Sequence, residues 1–61
     1  MDNNTIIKRL LDLTKDMVAI KNNIEELQNS VDENFKHLFN TAIYLVKECT
    51  NEISNIAFEL K

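Results

Sequence analysis

From Ile6 to Val31 the apolar residues recur at alternating intervals of four and three: Ile6, Leu10, Leu13, Met17, Ile20, Ile24, Leu27 and Val31. That rhythm keeps them on one seam of a helix. Ile7, Leu11 and Val18 widen the seam near its start, and between Asn22 and Asn34 it narrows to Ile24, Leu27 and Val31. A second apolar set follows: Phe35, Leu38, Phe39, Ala42, Ile43, Leu45, Val46, Cys49, Ile53, Ile56, Ala57 and Leu60. At 100° per residue it covers an arc of roughly 160°, wider than the stripe a two-stranded coiled coil hides. Such an arc suits a helix with two or more neighbours.

The pattern predicts an all-α fold of one domain, residues 1–61, in which a helical hairpin self-associates into a four-helix bundle. The first helix is expected over about residues 5–28, a turn at about 29–30 and a second helix over about 31–60. The stretch Gln28-Asn29-Ser30-Val31-Asp32-Glu33-Asn34-Phe35 carries the turn. Ser30 and Glu33 have the spacing of a capping box, Asp32 would place negative charge in the first turn, and Asn29 tolerates the left-handed conformation that closes a helix. The alternative is one continuous long helix in an antiparallel coiled coil, because Leu27, Val31, Phe35 and Leu38 carry the stripe through the same stretch in phase. A parallel zipper gains little, since only Asp16 and Lys21 offer a complementary pair at its flanking positions.

Hairpin and rod share an expected oligomer core: Leu10, Leu13, Met17, Ile20, Ile24, Leu38, Ala42, Leu45, Cys49, Ile53 and Ile56. Self-association enters because a chain of 61 residues buries only about 60% of its unfolded surface and needs another source of stability. Cys49 is the sole cysteine, so no disulfide closes within the chain. Its single His and Cys give no zinc spacing, and no metal or cofactor is expected.

Glycine and proline are both absent, which removes the residues that build tight turns, phosphate-cradling loops and strained active-site backbone. The net charge of −3 and the lack of a clustered basic face weigh against nucleic acid. Lys8, Arg9 and Lys15 form a loose basic cluster, but Asp12 dilutes it. No apolar run approaches the roughly 20 residues that span a bilayer, and the first residues do not resemble a signal peptide. A cytoplasmic location, without membrane association, is the expectation. The abundance of Asn, Ile and Lys suggests an AT-rich genome, and the small size and absence of loops fit a bacterial, phage or plasmid source.

Cys49 lies on the apolar arc with no basic residue a turn away on its own face, and reads as a buried, inert thiol. His37 has a carboxylate, Glu33, one turn back, which makes an ordinary helix-surface pair. Glu25-Glu26 and Asp32-Glu33 are adjacent in sequence and so point apart on a helix. Tyr44 and Phe58 project away from the main arc and are candidate partner contacts.

No nucleophile–base pair and no loop-built pocket emerges, so the expected function is not enzymatic. A small protein that self-associates and binds another protein, as adaptor, regulator or inhibitor, fits best. A structural or assembly component such as a phage scaffold is the second reading. The third is a nucleic-acid-associated regulator resembling the plasmid copy-control Rop proteins in hairpin architecture alone, with no motif in common.

Overall fold

The first helix starts on a cap. The Asp2 carboxylate accepts a hydrogen bond from the Thr5 N–H at 2.8 Å, satisfying one donor that the helix leaves free. From there the computed structural model, which describes residues 1–61, runs as α1 (Asn3–Ser30), a 3-10 helix (Glu33–Phe39) and α2 (Asn40–Glu59). The two helices lie antiparallel in a body of 48 × 15 × 12 Å. A continuous helix of similar residue count would measure about 85 Å. The chain is therefore a hairpin, and the uninterrupted phase of Leu27, Val31, Phe35 and Leu38 does not reflect a rod.

The reversal comes later than expected and by another device. Val31 (φ −89°, ψ 164°) and Asp32 (φ −54°, ψ 146°) are extended, and no residue of the chain takes positive φ. Two extended residues thus do the work for which glycine is usually used. Asn29 stays inside α1, and Ser30 is its last residue. The Ser30 hydroxyl donates back to the Glu26 carbonyl at 3.0 Å, while Glu33 pairs with Lys36 at 3.3 Å. The expected Ser30–Glu33 capping box is not formed. Asp32 occupies the capping position of the next segment without a side-chain bond, and the Phe35 N–H donates to its carbonyl at 2.9 Å. The 3-10 segment is long for its kind. It winds directly into α2.

What holds this segment is Gln28. Its Nε2 donates to the Lys36 carbonyl at 2.8 Å and to Asn40 Oδ1 at 2.9 Å, tying the end of α1 to the segment beyond the turn. At the open end, Asn3 Nδ2 reaches the Leu60 carbonyl at 3.5 Å.

Between these clamps the helices meet along two heptad rows. α1 contributes Leu10, Thr14, Met17, Lys21, Ile24 and Gln28. Facing them are Phe39 at the end of the 3-10 helix, Ile43, Val46, Thr50, Ile53 and Ala57 of α2, and Leu60 just beyond it; all are half-buried or buried. The polar members are satisfied locally. Thr14 donates to the Leu11 carbonyl, Thr50 to the Val46 carbonyl, and Lys21 pairs with Glu25 at 3.5 Å. Only Ala57, 3% exposed, is fully buried, where a small side chain fits between the helices.

Candidate interaction face

Each helix is apolar on more than its seam. On α1 the row Ile6, Leu13, Ile20 and Leu27 lies about 60° to one side of the direction facing α2. On α2 the row Ala42, Leu45, Cys49 and Ile56, which Leu38 of the 3-10 helix leads into, lies about 80° from the direction facing α1. Viewed from the N-terminus of α1, the first displacement is anticlockwise and the second clockwise, because α2 runs the opposite way. With the axes side by side, both rows come to the same side of the hairpin. They form one continuous apolar face, interrupted on α2 by Glu52.

This face is open. Leu13, Ile20, Leu27, Leu38, Leu45 and Ile56 are all exposed, Leu38 at 63% and Leu45 at 58%. Of the expected core, Leu10, Met17, Ile24 and Ile53 lie in the seam within the chain. Leu13, Ile20, Leu38, Ala42, Leu45, Cys49 and Ile56 do not. Cys49, expected to be buried, is exposed on the open face, because the seam uses Val46 and Thr50 on either side of it. The seam residues Phe39, Ile43, Val46 and Ala57 stood on the sequence arc, but periodicity alone did not separate the part facing α1 from the part facing away.

The opposite side also exposes apolar residues, Leu11 at 48% and Val18 at 46%. Val18, Lys21, Lys47, Thr50 and Asn51 line a shallow depression there, between the helices. A second depression, lined by Arg9, Asp12 and Leu13, lies at the outer rim of α1. Tyr44 and Phe58 sit on the outside of α2, 60% and 71% exposed, away from both the seam and the apolar face. His37 is exposed on the 3-10 helix, with Lys36 rather than His37 making the bond to Glu33.

The titratable groups are not drawn together. No three His, Cys, Asp or Glu side chains are grouped to hold a metal ion. The Asp2 carboxyl is held below the usual carboxylate range by the backbone hydrogen bond from Thr5. No helix is long and apolar enough to cross a membrane. Against known proteins, the chain matches no family model, no curated sequence and no solved structure. What the arrangement offers chemically is a surface: a narrow apolar strip running much of the length of the hairpin, with charged residues along its edges.

Proposed function

We propose that this is a non-enzymatic, cytoplasmic helical protein that self-associates through its apolar face and binds a protein partner as an adaptor, regulator or inhibitor. The observation that carries the reading is how α1 is rotated. Its seam toward α2 includes Thr14, Lys21 and Gln28, while Leu13, Ile20 and Leu27 of the neighbouring row are turned outward and only Ile6, at its start, is half-buried. A hairpin with no other neighbour would gain by the reverse rotation, since burying a leucine is worth about 1.5–3 kcal/mol. Turning the more apolar row outward favours the stability of the whole only if something covers it.

A second copy suits that role. Six half-exposed aliphatic side chains at roughly 90 Å² each, with Ala42, Cys49 and Ile6 beside them, approach the ~800 Å² per partner of a standard interface. Two hairpins joined this way make a four-helix bundle, the packing that the wide arc of α2 calls for. Tyr44 and Phe58 remain outside that bundle and are the proposed contacts for the other protein. A rod-like tether draws no support from a chain folded back to 48 Å.

Sedimentation equilibrium tests the reading. The expected mass is twice the 7.1 kDa of one chain, with a melting temperature that rises with protein concentration. A mass of one chain throughout the micromolar range, with concentration-independent melting, overturns it.

A further inference from the structure

We infer that the second copy sits on the apolar face with its turn at the same end of the bundle, so that α1 of each copy lies against α2 of the other. This rests on the self-association proposed above. Two arrangements keep all neighbouring helices antiparallel. In one, the two-fold axis runs along the bundle and the turns share an end. In the other, the axis crosses the bundle and the turns lie at opposite ends.

Rim charge separates them. Beside the apolar face, α1 carries Asp2, Arg9 and Asp16, and α2 carries Glu52 and Glu59. Arg9 is the one cation among these. It makes no ion pair within the chain, and its guanidinium reaches only the Met1 sulfur, at 3.8 Å. Glu52 and Glu59 are likewise unpaired.

Axial level follows from the hairpin itself. Asn3 lies level with Leu60, and Gln28 with Lys36 and Asn40, so paired residue numbers sum to between 63 and 68. When the turns share an end, the same relation links α1 to α2 of the other copy. Arg9 then comes level with the stretch between Glu52 and Glu59 of the second copy. Asp16 comes within a turn of that Glu52, an opposition that Arg9 offsets from the other side. Leu27 stacks on Leu38 and Ile20 on Leu45, while Leu13 comes level with Glu52 and Ile6 with Glu59.

With the turns at opposite ends, α1 lies on α1 and α2 on α2. With the axis at the midpoint of α1, Asp16 meets its own copy, and Arg9 falls level with Asn23, away from any carboxylate. Leu45 comes level with Glu52 and Leu38 with Glu59, setting carboxylates against leucines. Like charges juxtaposed and a carboxylate against an apolar surface are both unfavourable. The shared-end arrangement sets the same two carboxylates level with Leu13 and Ile6, but Arg9 then lies between them as their counter-charge, and Asp16 does not meet its own copy.

The test is a distance between turns. Asp32 is exposed and lies off the apolar face. Nitroxide labels at Asp32→Cys, in a Cys49→Ala background that keeps the interface apolar, are read by pulsed dipolar spectroscopy alongside the mass. The expected result is a dimer with labels about 15–25 Å apart, the span of two or so helix diameters. A dimer with labels separated by close to the 48 Å length of the hairpin overturns the orientation and leaves self-association standing. A monomer overturns both.

Charge reversal provides an independent measurement. Arg9→Glu and Glu52→Arg are each expected to weaken dimerisation about five- to tenfold, and the double variant to recover the affinity. Absence of recovery, with both single variants folded, overturns the contact between Arg9 and Glu52.

Discussion

Replacing Leu45 by Ala separates a surface leucine from an interface leucine. Within one hairpin Leu45 is 58% exposed, so its buried remainder limits the cost of truncation to about 0.6–1.3 kcal/mol if the chain acts alone. If a second copy covers it, the remaining exposed fraction is buried on association. Full burial of a leucine is worth about 1.5–3 kcal/mol, so that fraction contributes about 0.9–1.7 kcal/mol per copy. Two copies lose about 1.7–3.5 kcal/mol together, an upper range because alanine keeps its β-carbon. The dimer dissociation constant then rises roughly 20- to 300-fold. Sedimentation equilibrium across a dilution series reads this directly. Ile53→Ala is the control, since Ile53 lies in the seam within the chain and its loss destabilises each hairpin whether or not it is paired. An unchanged dissociation constant for Leu45→Ala would refute the reasoning, as would a variant with an unaltered melting temperature at every concentration.

Gln28→Ala removes both bonds to the segment beyond the turn and is expected to cost about 1–2 kcal/mol, measured by urea unfolding. Amide exchange of residues 33–40 should accelerate with it, and unchanged exchange would deny Gln28 its clamping role. Ser30→Ala is expected to be neutral or slightly stabilising, because the Ser30 hydroxyl bonds back to Glu26 and caps nothing. A loss of about 1 kcal/mol, the usual effect of removing a helix cap, would restore the capping box. Asp2 titrates below its ordinary value of 3.8 in the folded chain, so its contribution is fully present above that value and disappears as pH falls through the lowered pKa. Accordingly, the first turn of α1 should fray in acid, followed by NMR of the Thr5 amide, and Asp2→Ala should abolish that dependence. Tyr44→Ser is expected to leave the dimer mass unchanged, and dissociation would place Tyr44 in the oligomer instead of on its outside.

The helical character and the two wide apolar faces were legible in the heptad rhythm of α1 and the arc of α2, but the number of helices was not, because Leu27, Val31, Phe35 and Leu38 carry the stripe in phase through the turn. The turn was legible only in outline. Ser-x-x-Glu at residues 30–33 is a common chance pattern, and a turn made of two extended residues leaves no glycine or proline to mark it. The cap at Asp2 had a sequence signal, an acid just ahead of the apolar rhythm, which the stronger pattern further along obscured. Gln28 had none. Its role depends on the Lys36 carbonyl and the Asn40 amide lying within reach, and the turn itself brings them there.

Gln28 also explains why periodicity alone assigned the seam imperfectly. Ile6, Leu13, Ile20 and Leu27 form as good a heptad row as residues 7, 14, 21 and 28, and a more apolar one. Hydrophobicity alone therefore selects the wrong row to face α2. Gln28 can donate to Lys36 and Asn40 only from the inward side, so its two bonds fix the rotation of α1 at the turn end. Thr14 and Lys21 follow inward at seven-residue spacing, with their polar groups answered by Leu11 and Glu25. Leu13, Ile20 and Leu27 of the apolar row are thereby turned to the surface. A polar anchor that holds a leucine and isoleucine row outward has a physical rationale when that row has its own partner, and the rim pair of Arg9 and Glu52 would set how that partner lies.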